Sequence, residues 1–174
     1  MRQTFVWSAA ILTLAVIIHI IGIFAVPNVI MGTLISRAGD VGGVNTIAHG
    51  KRADATSRQI VRPSPDLVYS MCVFDLSEGP LALSAPVPAD TYWSLSAFDD
   101  NTNNFFVVND RQISTDHVEF VLARDGYQAP TLGGAPVILS PSDTGVVLFR
   151  TLIQSEDQFE ALNQIRQQAT CAPL

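Results

Sequence analysis

From Val6 to Val26 the chain runs for 21 residues without a formal charge, VWSAAILTLAVIIHIIGIFAV, interrupted only by Ser8, Thr13 and His19. As a helix this run measures about 31 Å, close to the roughly 30 Å of a bilayer's hydrocarbon core. It predicts a single transmembrane anchor over residues 1–31. Phe5 and Trp7 stand where interfacial aromatics are favoured. Pro27 cannot donate to a helix and restricts the residue before it, so it predicts the helix end. A cleaved signal peptide is the competing reading. Its apolar stretch is about 7–15 residues and closes on an A-x-A-like site. Here the run is longer, and Ile23 occupies the position two before Ala25, so an uncleaved anchor is expected.

Within the span, His19 is the one ionisable group. Such residues are functional by default in membranes, but a neutral imidazole tolerated in the helix is the simpler reading. Ala9, Ala10, Ala15 and Gly22 form no GxxxG face, so helix pairing is not signalled. Arg2 and the amino group flank one side of the span. On the other side the nearest base is Arg37, offset by Asp40, which favours a cytoplasmic N-terminus. Lys51, Arg52, Arg58 and Arg62 pull weakly the other way. The chain is read as a single-pass protein of the inner (plasma) membrane with a periplasmic head.

Residues 32–62 read as a basic juxtamembrane linker, rich in Gly, Ser, Ala and Arg without a clear period, and Gly32 to Ile60 is long enough to hold a short helix or two. Between Arg37 and Arg62 five bases meet two acids; from Pro63 onward four bases meet 14 acids. The neck is either a solvated tether or a surface resting on anionic lipid head groups, so the bilayer is the expected partner there. With a net charge of −6 and a pI near 4.8, nucleic acid is excluded as a natural partner.

Residues 63–174 read as a β-rich head. Seven short apolar or alternating runs are separated by Gly and Pro punctuation: 67–75, 81–85, 92–98, 105–108, 117–123, 136–139 and 145–151. This even spacing without intervening helices predicts a mainly β fold, an antiparallel sandwich with jelly-roll-like character. One C-terminal helix follows. Ser155-Glu156-Asp157-Gln158 has the form of a capping box, and Phe159, Leu162, Ile165 and Ala169 keep one face until about Thr170. Cys72 and Cys171 both lie in the head. They are either a disulfide that staples the C-terminus to the sheet or two separate thiols.

The candidate binding residues cluster in one segment. Aromatic side chains gather between Tyr69 and Phe106, and Tyr92 beside Trp93 places rings on both faces of one strand, so one of them is free to meet a ligand or partner. Asp99, Asp100, Asn101, Asn103 and Asn104 follow. Counted from Asp99, oxygens fall at positions 1, 3 and 5 and Asp110 at position 12, as in an EF-hand. However, Asn104 replaces the turn glycine, Asp110 is shorter than the usual glutamate, and strands flank the loop. Asp and Asn holding a strand connection is the simpler reading. Asp75 and Glu78 flank a turn, and Asp116-His117 precedes a strand, but no G-x-S-x-G elbow accompanies them. The three histidines and two cysteines lack zinc-ligand spacing. No catalytic residue, metal or cofactor is predicted.

Four ordered motifs carry a family resemblance. Arg62-Pro-Ser-Pro-Asp-Leu-Val-Tyr-Ser leads to Phe74-Asp-Leu-Ser-Glu-Gly-Pro, the Tyr92-Trp93-Ser94 strand, and then Asp99-Asp-Asn-Thr-Asn-Asn-Phe. The pattern resembles the family called domain of unknown function 1254, strongly over residues 60–125 and more loosely over the head. The resemblance implies a β-sandwich fold and no settled chemistry. In longer exported proteins the family often precedes a second domain, domain of unknown function 1214. This chain looks like the split, membrane-anchored form, whose companion would be a separate protein of that second family. The expected role is a non-catalytic interaction module docking this companion. The rival expectation is an enzyme or ligand-binding subunit, with a carbohydrate or lipid-derived molecule held at the partner interface.

Overall fold

A computed structural model describes residues 2–58, 62–127 and 133–174. The chain opens with helix α1, Arg2–Gly42. It continues with strands β1 (Thr46–His49), β2 (Leu67–Asp75), β3 (Leu81–Pro86), β4 (Trp93–Asp99), β5 (Asn104–Asn109), β6 (His117–Arg124), β7 (Val137–Ser140) and β8 (Thr144–Leu152). A 3₁₀ turn over Glu156–Gln158, helix α2 (Phe159–Arg166) and strand β9 (Thr170–Pro173) complete it.

Helix α1 does not stop at Pro27 but runs 41 residues, with the proline inside it. Its first half is apolar on every side and none of its most apolar window is buried, as befits a helix long and apolar enough to cross a membrane. The second half explains why the helix survives the proline, an interruption that costs about 3 kcal/mol in an isolated helix. Met31, Leu34, Ile35 and Ala38 recur at helical spacing and pack on Met71, Val73, Val146 and Phe98. Val73, Val146 and Phe98 form one row across β2, β8 and β4. Tertiary docking therefore offsets what the local sequence disfavours. Gly43, at φ +85°, closes the helix by donating to the Gly39 carbonyl at 2.9 Å.

The stretch read from sequence as the start of a linker is thus helical to Gly42, and β1 adds a strand that sequence patterning did not show. Residues 59–61 of that stretch lie outside the described residues. Strand β1 pairs antiparallel with β2, from Thr46↔Val73 to His49↔Ser70. Asn45, at φ +57°, extends the pairing with its side chain: its Oδ1 accepts from Asp75 N–H (2.7 Å) and its Nδ2 donates to the Asp75 carbonyl (2.9 Å).

Two sheets enclose one core. The first has the order β1-β2-β8-β4-β5 and is antiparallel throughout; the second has the order β7-β6-β3-β9. The expectation of purely antiparallel pairing fails at β6–β7, which run parallel with Val121 opposite Val137. All seven runs read from sequence are strands. Trp93, Leu95 and Ala97 of β4 face inward with Phe74, Phe120, Leu122 and Phe149, and the β4 alternation read from sequence holds. Gly145 is required where it stands: a Cβ there would meet the Phe98 carbonyl oxygen and the Phe74 ring.

Cys72 on β2 and Cys171 on β9 form a disulfide, with an S–S distance of 2.06 Å, bridging the two sheets. Cys171 lies on a strand rather than just beyond a helix, because α2 ends at Arg166 and the chain turns to pair β9 with β3. The capping box does not form. The Ser155 hydroxyl bonds the nearer Asp157 carboxylate instead and makes no side-chain cap.

Candidate functional site

The β4–β5 hairpin carries the residues singled out from sequence, and the structure disperses them. Trp93 is 2% exposed and packs in the core with its ring 6.3 Å from that of Phe149, so it has no free face. Tyr92, one residue earlier, is 38% exposed, and its carbonyl accepts from Leu152 N–H at 2.8 Å. At the far end of β4 the Asp99 carboxylate accepts from the N–H of Asn101 (2.9 Å), the N–H of Asn103 (2.8 Å) and the Asn103 amide (2.9 Å). It shapes the hairpin loop, including Thr102 at φ +67°. Asp100 N–H donates to Ser142 Oγ (3.2 Å), and the Asn104 amide donates to the Ala97 carbonyl (3.3 Å).

Twelve-residue calcium spacing means nothing in this geometry. Asp110 N–H donates to the Trp93 carbonyl at 3.3 Å, so Asp110 lies at the opposite end of the hairpin from Asp99. The seven residues of β4 separate them, about 20 Å at the rise of a strand. Among the described residues no three His, Cys, Asp or Glu side chains converge as ligands.

The remaining candidates are equally scattered. Asp75 caps the β2–β3 turn by accepting from Ser77 N–H at 2.9 Å. His117 is exposed on the second sheet, its Nε2 2.6 Å from Ser84 Oγ. That pair sits on an open strand face, not in a cleft. A groove of about 190 Å³ lies elsewhere, between the Pro88–Thr91 loop and Gln158, Ala161, Leu162 and Ile165 of the α2 region. It is smaller than the roughly 300–1,000 Å³ of ordinary ligand pockets.

One polar cluster escaped the sequence reading. Arg166 of α2 is 4% exposed yet has no carboxylate partner among the described residues. Its Nε and Nη2 donate to Asn163 Oδ1 at 3.0 and 2.7 Å, Nη2 to the Gly50 carbonyl at 2.9 Å, and Nη1 to the Tyr69 carbonyl at 2.9 Å and Ser70 Oγ at 3.3 Å. Ser70, 1% exposed, also bonds His49 Nδ1 at 2.9 Å. Burial, and then the Arg166 charge, hold the His49 imidazole below its ordinary pKa, so the neutral ring is favoured. Burial likewise lowers the Arg166 pKa. A serine bonded to histidine is a nucleophile's arrangement in principle. Here the hydroxyl is sealed in, and the cluster's work is to bind three chain segments together. The signal was available in the sequence: Arg166 follows Leu162 by four residues and precedes Ala169 by three, which places a charge on the buried stripe of α2.

Comparison with known proteins follows this geometry. The VPA0106 protein from Vibrio parahaemolyticus has a similar fold, with a TM-score of 0.63 at 14% identity over 85% of this chain. An uncharacterized protein from Burkholderia cenocepacia has a TM-score of 0.50 at 14% identity over 81%. The chain spans 37% and 39% of the lengths of these two structures. No curated protein matches it. The family described as protein of unknown function DUF1254 matches residues 44–173, beginning beside β1 and ending in β9. The chain therefore belongs to the DUF1254 family.

Proposed function

We propose that the chain is a single-pass protein of the inner membrane whose periplasmic head, a β-sandwich built from the two sheets, acts as a non-catalytic docking module. Its partner in this reading is a separate companion protein of the domain of unknown function 1214 family. One observation carries the docking role: the side chains on which catalysis would rest lie apart, and the two carboxylates among them are committed to turns. Asp75 caps one turn, Asp99 holds another at the end of β4, and His117 stands on an open sheet face. The membrane placement is supported by the uncovered apolar half of α1. The Cys72–Cys171 disulfide supports an oxidising compartment for the head. Exposed Tyr92, Val107 and Leu139 supply apolar contact surface.

A ligand-binding subunit acting on a carbohydrate or lipid-derived molecule has one observation in its favour, the groove between α2 and the Pro88–Thr91 loop. The two readings separate on purification. Tagged full-length protein is recovered from membranes in mild detergent and its companions are identified by mass spectrometry. Stoichiometric recovery of a companion-family protein, lost on Tyr92→Ala or Val107→Asp, supports docking. Recovery of the folded chain alone refutes it and directs the search to ligands of the groove.

A further inference from the structure

The neck and the C-terminal helix meet β2 through one short relay of hydrogen bonds. Arg166 has only donors, so its Nη1–H points at Ser70 Oγ. With that lone pair occupied, the Ser70 hydroxyl proton is free to point at His49 Nδ1, which accepts it as the neutral ring with its proton on Nε2. The relay ties β1 to β2 through His49. The same guanidinium ties α2 to β2 through the Tyr69 carbonyl and to the neck through the Gly50 carbonyl.

We infer that the Arg166–Ser70–His49 relay is an acid-sensitive clasp, in which protonating His49 reverses the Ser70–His49 hydrogen bond, crowds two cations around one hydroxyl oxygen, and loosens β1 and α2 from β2. Among the described residues no carboxylate pairs with His49 or Arg166 to relieve the crowding. Strand β9, packed against β1, carries no ionisable side chain except the bridged Cys171. Strand β2 presents Ser70 and the Tyr69 carbonyl, while the Tyr69 hydroxyl accepts from Ser64 N–H and Asp75 lies at the far end opposite Thr144. Helix α2 meets the cluster with Asn163 and Arg166, and its Glu160 is exposed and accepts from the Gln164 amide. The ionisable groups of α1 nearest β1, Arg37 and Asp40, are exposed. Lys51 is exposed, and Arg52 is paired with Glu156.

The direction of the effect follows from linkage. His49 is held below its ordinary pKa, so the clasped state resists a proton that the loosened state accepts. The clasp is intact above about pH 6.5 and weakens as pH falls from there towards the native-state value.

The test is hydrogen exchange of the full-length chain in detergent micelles at about pH 7.5 and about pH 5.0, corrected for intrinsic exchange chemistry. Peptides covering Thr46–Gly50 and Phe159–Gln167 should lose protection at the lower pH, while β4 and β6 keep theirs. His49→Asn, which keeps an acceptor near the Nδ1 position but cannot titrate, should make both peptides insensitive to pH. Unchanged protection in the wild type, an equal loss across all strands, or a pH effect that persists in the variant would each overturn the clasp. Should the variant not fold, the His49 imidazole resonance of the wild type decides: a midpoint at or above the ordinary histidine value overturns the inference, and one below it upholds it.

Discussion

Replacing Arg166 with alanine is the sharpest test of how the head is held together. The guanidinium makes five hydrogen bonds, and their acceptors differ in what they lose. The Tyr69 carbonyl keeps the Gly50 N–H at 2.9 Å, and Ser70 keeps His49. Asn163 is half-buried and can turn to water. Among the described residues the Gly50 carbonyl accepts from Arg166 alone, and an orphaned acceptor costs about 1–3 kcal/mol. Loss of the packed side-chain stem adds to this, while relief from burying an unpaired charge subtracts. The balance is a loss of about 2–4 kcal/mol, or about 10 °C in midpoint for a head of this size. Urea unfolding in detergent would be followed by the fluorescence of buried Trp93, with Trp7→Phe as the background. Arg166→Met separates the terms, since it restores the stem but leaves the Gly50 carbonyl orphaned. It should fall between alanine and wild type. A methionine variant as stable as the wild type would refute the reasoning and show that the buried charge is merely tolerated.

Three further outcomes are expected. Reducing the Cys72–Cys171 bond, or replacing both residues with alanine, should lower stability by about 4–5 kcal/mol from loop-closure entropy over a separation of 99 residues, measured by urea unfolding with and without reductant. Asp99→Ala should cost about 2 kcal/mol by removing the acceptor of three N–H bonds, and Asp99→Asn about half of that; added calcium should leave the melting midpoint of the wild type unchanged. A chain beginning at residue 27 should be monodisperse by size exclusion. One beginning at residue 43 should aggregate, because it bares the Val73, Val146 and Phe98 row; equal behaviour of the two would show that α1 docking is dispensable.

Much of the architecture was legible because it rests on local periodicity. Period-two alternation from Trp93 to Ala97 and Gly-Pro punctuation after Glu78 mark strands and turns without any knowledge of partners. The elements that were missed owe their existence to contacts. Strand β1 is four residues long and is a strand only because β2 offers an edge beside it. Helix α1 passes Pro27 only because Met31 and Ile35 have a sheet to bury against. The candidate site followed the same division. Asp99 was legible as a loop-shaping carboxylate because its partners are two and four residues away. For Arg166 only the charge on the buried stripe of α2 was legible; its acceptors were not, because Tyr69 and Gly50 lie 97 and 116 residues away.

By itself the sequence determined that an uncharged 21-residue run is long and apolar enough to cross a membrane and that an acidic, mainly β head follows it. Both properties are sums over neighbouring residues. Only the tertiary structure decided that the apolar run and the head are joined by a docked helix rather than a tether, that Cys72 meets Cys171, and that His49, Ser70 and Arg166 share one hydrogen-bonded relay. Those are encounters between distant segments, and no local pattern encodes which of them close when two sheets fold onto a common core.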